Sequence, residues 1–249
     1  MHRYKLFLEY DGSNYVGWQR QDNGPSIQAA LEAAIEAFCG DVARTQAAGR
    51  TDAGVHALAM VVHVDLTKPH APDVVRDAIN QHLKPAPIAV LRAVEIDADF
   101  HARFSCVRRA YEYRIINRRA PLTLDKNRAW RVTPHLDVEK MDQAAQALVG
   151  KHDFTTFRAA QCQSETPVKS LEQISVMRAG DDVVIRCAAR SFLHHQVRSF
   201  TGSLVEVGRG KWGVNEVKKA LEAKDRKRCG PVAPPDGLYF MRADYESAP

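Results

Sequence analysis

Residues 25–66 read PSIQAALEAAIEAFCGDVARTQAAGRTDAGVHALAMVVHVDL, and their spacing decides the fold. Pro25-Ser26 predicts a helix start, with Ser26 able to cap the first turn. Ile27, Leu31, Ala34, Ile35 and Phe38 recur at helical steps, and Gly40 ends the run. A weak strand over 42–48 follows, then the loop GRTDAGVH (49–56). ALAMVVHVD (57–65) is apolar enough for a buried strand. Outward from this core, residues 3–10 alternate, with Tyr4, Leu6, Leu8 and Tyr10 on one face of a strand. Pro72-Asp73 opens a second helix that runs to about His82. Lys84-Pro85-Ala86-Pro87 breaks the chain, and IAVLRAVEI (88–96) reads as a further strand. The order β-α-β-β-α-β is the split βαβ, or ferredoxin-like, arrangement.

The rest of the chain repeats that order at low resolution. RAYEYRIIN (109–117) reads as a strand, and 137–149 as a helix capped by Asp137 with Gly150 just past it. Strands over 171–178 and 182–190 are joined by Gly180-Asp181-Asp182, a hairpin signal. A helix over about 196–207, a shorter one over 214–223 and a last strand over 237–244 complete the pattern. The expected fold class is α+β, in two similar halves, 1–104 and 105–249. Their antiparallel sheets join edge to edge or face a shared cleft, the usual place for a site. No flexible linker separates the halves, so rigid packing is expected.

Apolar residues are 45% and charged residues 26% of the 249, as in ordinary globular chains. That excludes a disordered, collagen-like or disulfide-knotted protein. No apolar run approaches the ~18 residues of a membrane span. Met1-His2-Arg3-Tyr4-Lys5-Leu6 has no apolar signal core, so a cytoplasmic protein is expected. The five cysteines (39, 106, 162, 187, 229) are scattered without a CxxC pair, which fits a reducing compartment and suggests no zinc or redox site. The net charge of +5 is uneven. Residues 1–104 hold 10 basic and 13 acidic side chains, and residues 105–249 hold 25 and 17. Eight basic residues against two acidic lie within 105–131, and eight against three within 209–228. Such excess suits a polyanion, usually RNA or DNA, although a solvated basic face has the same composition.

The loop 49–56 is the densest signal for chemistry. Two glycines within six residues allow backbone angles that other residues resist. Such a turn can thrust Asp52 outward, with Arg50 two residues away to orient it or keep it ionised. An ionised aspartate is a competent nucleophile or base, although an Asx turn with a surface ion pair explains the same string. In RRAYEYR (108–114), Tyr111 and Tyr113 share one face and Glu112 and Arg114 the other. A ring beside cations can stack on a nucleobase while the cations hold phosphates; a plain core tyrosine has the same pattern. In RSFLHHQVR (190–198) a strand gives way to a helix, and Arg198 in its first turn can grip a carboxylate or phosphate with two hydrogen bonds. His194 and His195 on an extended chain would face opposite ways, and no further ligand has fitting spacing, so no metal is expected. In PPDGLYF (234–240), Leu238 and Phe240 share a face, as core or as a wall against a bound base. GRGK (208–211) is not a P-loop, because Val205 and Trp212 stand where glycine and Ser or Thr are required.

GRTDAGVHA (49–57) resembles the catalytic motif of the TruA-type tRNA pseudouridine synthases. Further stretches agree with that family in order: YDGSNYVGWQRQ (10–21), FHARFSC (100–106), RRAYEYRI (108–115), GKHDFTTFRAA (150–160), RSFLHHQVRSFTGSLVEVGRGKW (190–212) and PPDGLYF (234–240). The resemblance implies a pseudouridine synthase fold, with two ferredoxin-like-derived halves whose antiparallel sheets flank a central cleft. It implies isomerisation of uridine to pseudouridine at positions 38, 39 and 40 of the anticodon stem-loop of tRNA, by a homodimer without cofactor or metal. By resemblance, Asp52 is the catalytic aspartate, Arg50 the arginine before it and Arg198 the arginine paired with it. Tyr111 is then the tyrosine packed on the target base, and Leu238 the apolar wall. Gln196 stands where Met is more usual and Lys169 where Arg is common, which bears only on local contacts.

That reaction breaks an N–C glycosidic bond and makes a C–C bond at the same sugar carbon. No electrons are lost, so no redox cofactor is required. A carboxylate could add to sugar or base, or remove the ribose 2′ hydrogen. The base must also be extruded from its stack, at a cost of a few kcal/mol. Phosphate contacts would offset that, and the basic half 105–249 is where most are expected. Two rival readings stand beside this one. A non-catalytic RNA-binding module accounts for the charge but gives Asp52 no task. A glycoside-type hydrolase requires a second acid near Asp52 and free uracil as product.

Overall fold

The computed structural model describes residues 1–246, so 247–249, the end of the expected second half, lie outside the described residues. By compactness the chain divides into two units: 1–107 with Tyr239 onward, and Arg108–Leu238.

The first unit begins with β1 (His2–Tyr10), α1 (Ile27–Cys39), β2 (Gln46–Ala47), β3 (His56–Leu66), α2 (Pro72–Leu83) and β4 (Ile88–Ile96). β1 lies between β3 and β4, antiparallel to both. Its alternation is real: Tyr4, Leu6 and Leu8 are fully buried, while Arg3, Lys5 and Phe7 take the other face. Ile27, Leu31 and Ile35 of α1 and Val75 and Ile79 of α2 are fully buried, and the two helices pack together. Each such side chain contributes ~1.5–3 kcal/mol relative to exposure. Ser26 Oγ accepts the Ala29 N–H at 3.2 Å, and Gly40 closes the helix at φ 77°. The strand expected over 42–48 shortens to two residues. The reason is the buried Glu32, whose carboxylate accepts the Thr45 N–H at 2.9 Å and takes it out of any ladder.

The second unit contains most of β5 (Cys106–Ile116), then β6 (Trp130–Arg131), α3 (Val138–Ala145), β7 (Gly150–Asp153), β8 (Val168–Ala179), β9 (Asp182–Ala189), α4 (Gln196–Gly208) and α5 (Glu216–Ala223). β5, β9, β8 and β7 form an antiparallel run in that order. α3 packs on β8 and α4. Asp137 caps α3 by accepting the Lys140 N–H at 3.1 Å, but the expected helix turns to 3₁₀ geometry after Ala145. Phe200 of α4 lies 5.5 Å from Phe154 and 5.1 Å from Phe157, centroid to centroid, at the centre of this core.

The last strand, β10 (Leu238–Tyr245), pairs in parallel with β3, Tyr239 opposite His56 and Phe240 opposite Ala57. The strand expected to close the second half thus adds to the sheet of the first. There the Tyr245 hydroxyl donates to the Ala102 carbonyl at 2.7 Å, and its ring lies 4.1 Å from the Lys5 ammonium.

Candidate active site

The loop 49–56 is held from below by the chain that follows β1. Residues 52–55 form a type II turn: the Val55 N–H donates to the Asp52 carbonyl at 3.1 Å, and Gly54 takes φ 78° at the third position. The Trp18 N–H donates to the Thr51 carbonyl at 3.0 Å, and the Gly54 N–H to the Tyr15 carbonyl at 3.3 Å. Gly17 forms an antiparallel bridge with Asp52 at φ 112°. A Cβ there would stand 2.6 Å from the Thr51 carbonyl oxygen, so only glycine lets the two segments approach this closely. Side chains add to the backbone contacts. The Tyr10 and Thr51 hydroxyls share a buried hydrogen bond of 2.8 Å. The Gly12 N–H donates to His56 Nδ1 at 3.1 Å, and the His56 ring stacks on Tyr239 with centroids 4.8 Å apart. The outcome is a half-buried Asp52 on a fixed turn, with Arg50 exposed two residues before it.

Tyr111, Arg198 and Leu238 belong to the second unit. Tyr111 is half-buried on β5, opposite Cys187 of β9, and meets the Phe192 ring edge-on at 5.1 Å. Burial pushes the Cys187 thiol well up, so it is no thiolate nucleophile. Tyr113, on the same face, is core: it is fully buried and donates to the Pro234 carbonyl at 2.7 Å. Burial raises its hydroxyl pKa well above the usual tyrosine range, opposed by the positive charge of Arg198. Arg198 Nε donates to the Ala233 carbonyl at 2.8 Å, and the Ala233 N–H donates back to the Arg198 carbonyl at 3.1 Å. This two-way tie fixes the first turn of α4 against the segment that leads to the buried Leu238. Gln196 is buried, and its Oε1 accepts the Leu193 N–H at 2.7 Å, which shapes the entry to the helix. The two histidines depart from expectation. His195 is left-handed at φ 64° rather than extended, and the His194 and His195 rings lie 4.1 Å apart instead of facing opposite ways.

Much of the basic excess is neutralised locally. Arg108 pairs with Glu172 at 3.0 Å, and Arg114 with Asp125 and Asp182 at 3.3 and 3.0 Å. Lys219 pairs with Glu216 at 2.6 Å, and Arg209 and Lys211 flank Glu206 at 3.3 and 3.4 Å. Arg119, Lys126, Lys227 and Arg228 are exposed and form no ion pair among the described residues. Sequence reasoning quotes the stretch that braces the loop only as a likeness to the family, and assigns no role in the site to Tyr10, Gly12, Tyr15, Gly17 and Trp18. Their signal is the turn-rich string after β1, which carries no chemistry of its own.

Class comes first. The α+β plan is that of the pseudouridine synthase fold, and a sequence model described as "tRNA pseudouridine synthase" matches residues 6–105 and 144–246. Asp52, Arg198 and Leu238 fall inside those segments, and Tyr111 falls between them. Proteins named tRNA pseudouridine synthase A are 62% identical in Maricaulis maris over 98% of both chains, and 59% identical in Parvibaculum lavamentivorans over 99% of this chain and 100% of that one. A chain of a Cbf5–Nop10–Gar1 complex superposes with TM-score 0.38 and 11% identity over 95% of this chain and 48% of that one, a likeness too weak to carry an inference. The chain belongs to the tRNA pseudouridine synthase family, isomerases that convert uridine in tRNA to pseudouridine. No helix among the described residues is long and apolar enough to cross a membrane.

Proposed function

We propose that this protein isomerises uridine to pseudouridine at positions 38, 39 and 40 in the anticodon stem-loop of tRNA, with Asp52 as nucleophile. The observation that carries the reading is the braced type II turn, which holds a half-buried carboxylate at a fixed place on the scaffold. The carboxylate bonds transiently to the nucleoside as the N1–C1′ bond breaks. The uracil turns, C5 bonds to C1′, the C5 proton leaves and N1 gains one, so the product is an isomer of the substrate. Nothing is oxidised or reduced, and the reading calls for no cofactor or metal. Arg50 and Arg198 favour the ionised carboxylate. Tyr111, stiffened by Phe192, is the shelf on which the base packs, and Leu238 is the apolar wall that keeps it from leaving. The outward cations Arg119, Lys126, Lys227 and Arg228 hold phosphates, offsetting the cost of extruding the base. The protein works as a homodimer in the cytoplasm.

The deciding experiment replaces Asp52 with Asn or Ala and follows tritium release from tRNA labelled at uridine C5, with pseudouridine mapped by carbodiimide labelling. The expected result is loss of turnover with tRNA binding kept, and for the native protein product at 38, 39 and 40 alone. Turnover by a folded Asp52→Ala protein overturns the role of Asp52, and product elsewhere overturns the assignment of position. Free uracil as product would instead identify a hydrolase.

A further inference from the structure

We infer that Tyr10 is a positioning residue for the isomerisation, acting through Thr51 on the carboxylate that follows it. This inference rests on the reading of Asp52 as nucleophile. The two hydroxyl oxygens are 2.8 Å apart and buried, joining the last residue of β1 to the residue just before Asp52. Thr51 is 6% exposed and Tyr10 4%. The backbone around them is already tied: the Thr51 carbonyl accepts from Trp18, the Gly54 N–H donates to Tyr15, and the Val55 N–H closes the turn on Asp52. Those bonds fix the depth of the loop. The Trp18 bond restrains the Thr51–Asp52 peptide through its carbonyl, and the Thr51 hydroxyl on Tyr10 adds a second restraint on the same residue. A β-branched side chain is stiff at χ1. Anchoring its hydroxyl on a rigid ring therefore fixes the backbone from which Asp52 departs. The Tyr10 ring is itself held against Trp18, with centroids 6.2 Å apart. The hydroxyl pair thus links a strand end in the sheet to the direction of the carboxylate. Placement matters more than binding here, because a displacement of about 1 Å from a near-attack position can cost ~10²-fold in rate.

Three variants separate positioning from mere stability. Tyr10→Phe and Thr51→Val each remove one hydroxyl with little change of shape, and Thr51→Ser keeps it. The assay is C5 tritium release from tRNA under saturating and limiting substrate, well below each variant's melting temperature. Tyr10→Phe and Thr51→Val are expected to lower kcat about tenfold with KM for tRNA within twofold. The double variant should be no slower than the slower single one, and Thr51→Ser, which keeps the hydroxyl but not the β-branch, should turn over faster than Thr51→Val. A hydroxyl pair with only a structural role lowers the melting temperature and leaves the kcat of folded protein untouched, and that result overturns the inference. Asp52→Ala is measured alongside. If it is inactive while Tyr10→Phe and Thr51→Val turn over at the native rate, positioning fails and the role of Asp52 stands. If Asp52→Ala turns over, the reading beneath the inference fails.

Discussion

Gly17→Ala perturbs the backbone on either side of Asp52 without touching a chemical group. Its new Cβ would lie 2.6 Å from the Thr51 carbonyl oxygen, 3.1 Å from the Asp52 carbonyl carbon and 3.2 Å from the Ala53 nitrogen. All three are backbone atoms and cannot rotate aside. Ordinary contact begins near 3.4 Å, so one segment must retreat by 3.4 − 2.6 = 0.8 Å. Gly17 also sits at φ 112°, a conformation that costs an L residue about 1–3 kcal/mol. With the clash, a destabilisation of roughly 3 kcal/mol is expected, or about 6–12 °C in melting temperature for a chain of this size. The same retreat shifts Asp52, and turnover should fall about 100-fold. Gly40→Ala is the control. It too has positive φ, 77°, but nothing lies within 4 Å of its Cβ position. It should cost about 1–2 kcal/mol and leave kcat unchanged. Calorimetry and C5 tritium release measure both. A Gly17→Ala protein with native melting and native turnover would falsify the claim that the segment after β1 sets the place of Asp52.

Three further outcomes follow from other contacts. His63 is buried, and its Nδ1 accepts the Ala102 N–H at 3.1 Å; burial first, then the charges of Arg3 and His101, hold its pKa at about 4. A histidine depressed in the folded state contributes stability that is complete above the unfolded value near 6.5 and is lost as pH falls toward 4, here up to about 3 kcal/mol; His63→Asn, which keeps an acceptor, should flatten urea-melt stability across that window, and an unchanged slope would count against the assignment. Tyr113→Phe removes the bond to Pro234 and should cost ~1–2 kcal/mol in denaturation, whereas Tyr111→Phe should keep tRNA affinity; a collapse of affinity in Tyr111→Phe would show that its hydroxyl, not its ring, holds the RNA. The outward set Arg119, Lys126, Lys227 and Arg228 should give tRNA binding that weakens roughly 100-fold between 50 and 200 mM salt, and Lys227→Ala with Arg228→Ala should lower the logarithmic slope by about 2; affinity insensitive to salt would remove the phosphate-binding role.

What the sequence makes legible is local. α1 can be read because Ser26, Gly40 and the apolar spacing between them agree at every level. β4 can be read because Pro85 and Pro87 bound an apolar run. The misread parts are those where a distant group decides. Thr45 has strand-like neighbours, but Glu32 takes its N–H. Gly150–Asp153 has no apolar alternation and becomes a strand because β8 lies beside it. His195 stands in an extended-looking string and turns left-handed where Ala159 donates to the His194 carbonyl and the Gln196 side chain closes on Leu193. The alternation of Leu238–Tyr245 announces a strand without naming its partners, and β3 is one of them.

The candidate site divides along the same line. The turn at Asp52 can be read from Gly54, because a positive φ at the third position is a local demand. The brace beneath it cannot, because Tyr10 and Thr51 are 41 residues apart and only the folded sheet brings their hydroxyls to 2.8 Å. A motif string therefore names the candidate carboxylate but says nothing of what braces the turn that carries it. The residues that brace it resemble ordinary core in sequence: a strand-end tyrosine, a glycine and a tryptophan. They become recognisable only through the hydrogen bonds that converge on Thr51 and Gly54 from Tyr10, Tyr15 and Trp18. Since a shift of under an ångström there is expected to cost about 100-fold in turnover beside its cost in stability, the functional demand on residues 10–18 adds to what their burial alone would set.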